Sequence, residues 1–155
     1  MNIEYDEGSI SEHWQAVKEM FENHWDEVGF GDFDLKCRID WAQLMFLEAK
    51  GLLLIYGARD KDTGEVIAYL GAIINYHPFM LGKKIAYTSG FYLKPEYRKG
   101  LIGYKLLKNA EKYFKEKKGI DFFQIGNNIN FDISPLLKRL GYQKTDELYT
   151  KQLKG

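Results

Sequence analysis

The sequence has few residues that could form covalent or metal-linked scaffolds. Its 155 residues include one cysteine, Cys37, three prolines and three histidines. A lone cysteine cannot form an internal disulfide, and histidines at positions 13, 24 and 77 lack the spacing of a metal site. We therefore expect no bound metal, and we assign these histidines to surface or packing positions.

Long apolar runs are also missing. No stretch of about 18 uncharged apolar residues occurs, and Glu4, Asp6 and Glu7 precede any apolar segment, unlike a secretory signal. With 45% hydrophobic residues, the chain is long enough to bury one core but short for two. These features predict a single soluble domain over residues 1–155, cytoplasmic and without membrane contact.

The formal net charge is zero, but the charges are unevenly distributed. Residues 1–35 hold ten acidic side chains and one basic side chain, so the basic excess lies in the rest of the chain. Such a field could steer charged ligands, or it could simply solvate two amphipathic faces. The lysines of 105–118 alternate with Glu111 and Glu116 and the pI is near 6.8, so nucleic-acid binding is not expected.

Apolar periodicity and turn residues predict the order of elements. Ser9 with Glu12 has the form of a capping box, and Asp40 with Gln43 marks a second helix start. The predicted elements are helices at about 9–29, 40–51, 101–118 and 133–140, strands at 52–58, 66–76, 84–93 and 120–125, and a closing hairpin of 142–145 with 148–153.

The helix at 101–118 crosses over between two predicted strands, which makes those strands parallel neighbours. The short connections elsewhere favour antiparallel pairing. We therefore predict an α/β fold: a central mixed, mostly antiparallel sheet with helices on both faces and a parallel pair in the middle.

The turn between the third strand and the third long helix carries most of the functional signal. It contains Pro95, then Arg98, Lys99 and Gly100, with Gly103 in the first helical turn. A helix N-terminus presents unpartnered N–H groups to anions, and glycine lets a ligand approach the backbone closely. Ordinary strand-to-helix connections share this pattern, so by itself it does not establish phosphate binding.

With its context, this turn resembles that of the GNAT superfamily of acyl-CoA N-acyltransferases. The resemblance is carried by Pro95, Arg98 and Gly103, and by Asn130 ahead of a short helix ending Lys138-Arg-Leu-Gly-Tyr142. In element order it extends from Ser9 to Leu153. It implies a GNAT-like fold with acetyl-CoA as acyl-donor cosubstrate, and transfer of the acetyl group to a primary amine by direct attack.

The resemblance also implies a set of site residues. Backbone groups of Phe91, Tyr92 and Leu93 would pair with the pantetheine arm, and Asn130 would lie near it. The diphosphate would meet Arg98, Lys99 and the amides of Gly100, Leu101, Ile102, Gly103 and Tyr104. Ser134 and Tyr149 are weak candidates for catalytic hydroxyls, with ordinary cap or strand roles as the alternative.

The first two helices of the family wall the acceptor site. In this chain that region, with the connection between the helices, includes the acidic residues Asp26, Glu27, Asp32 and Asp34 and the aromatic residues Trp25, Phe30, Phe33 and Trp41. The acidic set would favour a cationic amine on a small molecule or a protein. The aromatic set could add cation–π contacts or could belong to the core.

Two positions depart from the family pattern. Leu101 replaces the first glycine of the turn, and Leu137 replaces a tyrosine proposed to protonate the departing thiolate. They favour an alternative in which the domain has lost catalysis and serves as a protein-binding or regulatory module. The sequence does not identify the acceptor, and it leaves a homodimer open.

Overall fold

A computed structural model describes residues 1–88 and 90–155. The strands are β1 (Ile3–Gly8), β2 (Leu53–Asp60), β3 (Val66–Tyr76), β4 (Lys84–Thr88), β5 (Phe91–Leu93) and β6 (Phe122–Ile125), and the helices are α1 (Ile10–Val28), α2 (Trp41–Ala49), α3 (Ile102–Lys118) and α4 (Ser134–Arg139). A 3₁₀ turn over Pro95–Tyr97 lies between β5 and α3. No helix of the described residues is long and apolar enough to cross a membrane.

All six strands belong to one sheet, in the order β1-β2-β3-β4-β6, with β5 also paired to β3. Every pairing is antiparallel except that of β4 with β6. The α3 crossover separates these two strands in sequence, as predicted. The mixed, mostly antiparallel α/β fold is thus confirmed.

Alternation along β2 shows how the two faces of the sheet are covered. Leu54, Tyr56 and Ala58 belong to the larger core, which includes Leu106, Leu107 and Phe114 of α3. Leu53 and Ile55 point the other way and pack with Ile10 of α1 and with partly buried residues of α2. Because successive strand residues face opposite sides, the helices must cover both faces.

Helix ends are set partly by local and partly by distant residues. The Asp40 side chain accepts a hydrogen bond from Gln43 N at 2.9 Å, so the second predicted cap is confirmed. The Ser9–Glu12 capping box is wrong, since no side-chain cap bond forms at Ser9. Instead Glu48 of α2 accepts from Ile10 N at 2.7 Å and from Ser9 Oγ at 2.8 Å. A carboxylate here also suits the positive end of the α1 dipole.

The strands differ from the sequence prediction in several further ways. The sequence did not indicate β1, which pairs with β2 and packs Ile3 and Tyr5 against the core. The third predicted strand, 84–93, is two strands, β4 and β5. The closing hairpin is wrong: residues 142–155 form no strand, and Leu148 and Leu153 are exposed. The parallel pair of β4 and β6 therefore lies at one edge of the sheet and not in its middle.

Candidate functional site

The outer edge of β5 carries backbone groups that face away from β3. Lys94 N donates to Ile67 O of β3 at 2.9 Å, and β5 continues this antiparallel ladder with Tyr92 opposite Tyr69. Since paired and unpaired positions alternate, Phe91 and Leu93 direct their N–H and C=O groups away from β3. The pairing of β4 with β6 ends at Thr88 opposite Ile125, so β5 has no partner on this side among the described residues. We call the space between β5 and the segment that follows β6 the splay gap.

The turn after β5 brings the chain round to the start of α3. Gly100 has φ +85°, a conformation that favours glycine, and a Cβ there would meet nothing within 4 Å. Lys99 is exposed beside it. The turn therefore combines an accessible cation with a backbone that a ligand can approach closely.

The N-terminus of α3 carries no side-chain cap. Leu101 occupies the N-cap position with 46% of its surface exposed, and it has no side-chain oxygen to accept a bond. Within the described residues, the first-turn N–H groups of Ile102, Gly103 and Tyr104 have no hydrogen-bond partner. These amides and the helix dipole fit an anionic group such as a diphosphate.

Gly103 contacts a hydrophobic surface. A Cβ built there would lie 3.6 Å from the Phe91 ring and 4.0 Å from Leu136 Cδ2, which are ordinary contact distances. Packing alone therefore does not require glycine here. Tyr104 is covered by the Arg139 guanidinium, 4.9 Å from its ring centre.

The Arg98 side chain is held by contacts within the protein. Its Nε donates to Leu93 O at 2.7 Å and its Nη2 to Glu27 Oε1 at 2.6 Å. The rings of Tyr92 and Phe131 flank the guanidinium, with centres 5.4 and 5.2 Å away. Arg98 thus lies in the turn, but its side chain pairs with Glu27 of α1.

Asn130 lies in the segment after β6 and also contacts the end of α1. Its side-chain amide donates to Val28 O at 2.9 Å and to Gly31 O at 3.0 Å, so it holds the loop that follows α1. The family resemblance implied that Asn130 lies near the pantetheine arm. Phe131, its neighbour in the chain, is the residue that reaches Arg98 at the splay gap.

The two hydroxyl candidates lie apart from each other. Ser134 begins α4, where its backbone N donates to Asp132 Oδ1 at 2.9 Å. Bonds from Asn127 and Ser134 hold the pKa of Asp132 down at about 2. Tyr149 is 86% exposed and donates to Glu147 Oε2 at 3.1 Å, outside any strand. The structure therefore gives Ser134 a cap-like contact and leaves Tyr149 on the C-terminal segment.

The aromatic residues of α1, α2 and the loop between them make separate contacts in the described structure. Trp41 stacks on Phe21 at 6.2 Å, and Phe30 packs against Phe33 at 5.7 Å. Trp25 donates its indole N–H to Leu35 O. These contacts favour a packing role over a common cation cage.

Sequence analysis missed a part-buried polar pair next to β5. His24 Nδ1 lies 2.6 Å from the Tyr69 hydroxyl, and the His24 ring is 5.6 Å from that of Tyr92. Burial lowers the pKa of His24, which therefore stays neutral at pH 7, and burial raises the pKa of Tyr69. Met20, His24 and Glu27 share helical spacing, so the position of His24 on the inner face of α1 could have been read from the sequence.

The sequence model of the Acetyltransferase (GNAT) family matches residues 14–142, and the chain belongs to this family. The resemblance drawn from the turn is therefore confirmed. No curated protein sequence matches the chain.

Solved structures resemble the fold over almost the whole chain. A predicted acetyltransferase from Clostridium acetobutylicum, solved with acetyl-CoA, is 19% identical with a TM-score of 0.73, covering 98% of this chain and 97% of that one. Glucosamine-6-phosphate N-acetyltransferase from Arabidopsis thaliana is 11% identical with a TM-score of 0.74, covering 99% and 100%. Ribosomal-protein-alanine N-acetyltransferase from Brucella melitensis is 10% identical with a TM-score of 0.73, covering 99% and 100%.

Proposed function

We propose that this chain, as one domain over 1–155, is an N-acetyltransferase that moves an acetyl group from acetyl-CoA to a primary amine. Family membership supports the reaction class. The observation that carries the proposal is a run of backbone groups that leads from the unpaired edge of β5, where Arg98 holds Leu93 O, to the uncapped start of α3. An extended arm ending in a diphosphate matches both parts of this run.

Main-chain groups do most of the binding in this proposal. Phe91 and Leu93 face the splay gap, with Tyr92 held between them by pairing with Tyr69. The first amides of α3, with Lys99 and Gly100, receive the diphosphate. Asn130 acts beside the gap by holding the loop after α1. Arg98 has a different part, because its guanidinium is already bound to Leu93 and Glu27.

The coenzyme would supply a thioester, which an amine can attack directly. A thiolate of pKa near 8.5 leaves readily, and a positioned acid typically adds about 10²–10⁴-fold. Leu137 packs against the core where the family has its tyrosine, so this chain would rely less on acid catalysis. For an amine of pKa about 10.4, deprotonation at pH 7 costs about 4.6 kcal/mol. Proximity of the substrates and a route for the amine proton therefore contribute more to the rate than an acid that protonates the thiolate.

The acceptor we propose is a cationic amine. Ten acidic side chains lie in residues 1–35, and α1 ends beside the splay gap. Such a field raises the local concentration of cations. The named relatives act on a sugar phosphate amine and on a ribosomal protein, so both small molecules and proteins remain within this proposal. A cytoplasmic location and a homodimer also stay predictions.

Two measurements test the proposal. Calorimetry with CoA should detect binding, and thiol release from acetyl-CoA should rise with at least one member of a panel of polyamines, aminoglycosides and peptides. Binding without release for every amine would favour the alternative, a domain that binds coenzyme or protein but does not catalyse. Absence of CoA binding would overturn the proposal.

A charge reversal tests where the diphosphate lies. Lys99→Glu should weaken CoA binding because it places a negative charge beside the proposed phosphate site. Lys112→Glu makes the same reversal at an exposed position about three turns further along α3, and we expect a much smaller effect. Equal effects of the two variants would contradict this placement.

A further inference from the structure

Arg98 joins three segments that border the splay gap. Its guanidinium bonds to Leu93 O of β5 and Glu27 of α1, and it lies between the rings of Tyr92 and Phe131. Phe131 belongs to the segment that follows β6. The side chain therefore spans the gap from one side to the other.

This position conflicts with coenzyme binding along β5. Leu93 directs its carbonyl into the gap, and Arg98 Nε already occupies that acceptor. An amide donor of the pantetheine arm would compete for the same oxygen. Solvent screens the attraction between Arg98 and Glu27 only partly, since 29% of the Arg98 side-chain surface and 26% of that of Glu27 are exposed. Glu27 therefore helps to hold the guanidinium where it blocks the gap.

A phosphate group offers Arg98 an alternative partner. Guanidinium binds phosphate as well as carboxylate in a bidentate manner, and the uncapped start of α3 lies a few residues further along the chain. If the guanidinium turns towards that anion, the Glu27 carboxylate loses its counter-charge beside the gap. An unpaired carboxylate there would attract the ammonium form of an acceptor.

We propose that Glu27 holds Arg98 across the splay gap in the free protein, and that coenzyme binding releases the Glu27 carboxylate to bind the cationic acceptor. This inference rests on the proposed function, because it requires the coenzyme to bind at β5 and α3. It assigns Glu27 two successive partners and makes the two substrates bind in a preferred order.

The first test compares CoA affinity in two neighbouring charge variants. Glu27→Gln removes the ion pair and keeps the side-chain shape, and we expect it to bind CoA about three- to fivefold more tightly, the value of a partly exposed pair. Asp26→Asn removes the same charge at the next, exposed position of α1 and should change affinity less than twofold. Calorimetry at fixed salt measures both.

Stability of the coenzyme-free protein gives a second readout. Urea denaturation should show that Glu27→Gln is folded but less stable than the wild type, because the ion pair is lost. If Glu27 only supported the structure of the site, Glu27→Gln would lower both stability and CoA affinity. Lower stability together with tighter CoA binding therefore indicates that Glu27 holds Arg98 across the gap. Affinity equal to or below that of the wild type would overturn the inference, as would equal tightening by Asp26→Asn.

Spermidine, a simple polycation, tests the second part of the inference, in which the released Glu27 carboxylate binds a cation. Coenzyme should increase spermidine affinity in the wild type and in Glu116→Gln, which removes an exposed charge from α3, but much less in Glu27→Gln. Equal increases in all three proteins would show that Glu27 does not bind the cation. If no variant binds CoA, the proposed function fails together with this inference; if CoA binds and only the variant differences are missing, the inference alone fails.

Discussion

The His24–Tyr69 pair gives a prediction whose size follows from its burial. Tyr69 is 8% exposed, and its hydroxyl lies 2.6 Å from His24 Nδ1. Either single change to phenylalanine leaves one polar atom without its partner, at a cost of about 1–3 kcal/mol. Changing both residues replaces two polar partners by apolar rings, which is nearly neutral.

We therefore expect strong non-additivity in a double-mutant cycle. His24→Phe and Tyr69→Phe should each lower the free energy of unfolding, and the double variant should lose less than the sum by about 1–2 kcal/mol. Urea denaturation at pH 7.5 measures all four proteins. Additive losses within a few tenths of a kcal/mol would refute the assignment of this hydrogen bond.

The same pair predicts how stability changes with pH. Burial lowers the pKa of folded His24 below its unfolded value near 6.5, so the unfolded chain binds more protons under that pH. This residue should therefore reduce stability as the pH falls from about 7 to 5, and His24→Phe should flatten that part of the curve. An unchanged slope would show that His24 titrates alike in both states.

Three other changes probe separate features. Glu48→Gln should lower the free energy of unfolding by about 1 kcal/mol, because it weakens the charged bond to Ile10 N at the start of α1; unfolding curves at pH 7 would show no loss if that contact is absent. Asp132→Asn should remove stability that is present above the unfolded pKa near 3.8 and lost as pH falls towards 2, so unfolding curves of variant and wild type should converge in acid. Leu137→Tyr should release thiol from acetyl-CoA faster than the matched Leu137→Phe, since only the hydroxyl differs; equal rates would exclude an acid role at this position.

Local signals explain which parts of the fold could be predicted. Asp40 caps α2 by accepting from Gln43 N, three residues away, and Gly119 ends α3 in the left-handed conformation. The start of α2 and the end of α3 could therefore both be predicted from a few neighbouring residues. The helical spacing over 10–28 and the crossover between β4 and β6 likewise follow from periodicity and chain connectivity. These features place the turn correctly at the end of β5.

Long-range contacts explain what the sequence did not reveal. Glu48 caps α1 from 38 residues away, a pairing that no local pattern encodes. The break between β4 and β5 also lacks a hydrophobic signal, because both halves of 84–93 are rich in strand formers and both pair with β3, and only the pairing with β6 stops. Residues 148–153 show the reverse case: their alternation predicts a strand, but strand propensity without a paired neighbour does not form one.

The separation of charge along the chain takes a specific form in the structure. Glu27 belongs to the acidic segment and Arg98 to the basic remainder, and they pair across 71 residues. While it is intact, that pair holds Arg98 back from an incoming anion, which first meets the main chain and Lys99. The affinity of the free protein for a diphosphate should then depend more on backbone geometry than on the number of basic residues in the turn. This is why Gly100 and the uncapped start of α3, more than Arg98, define the candidate site.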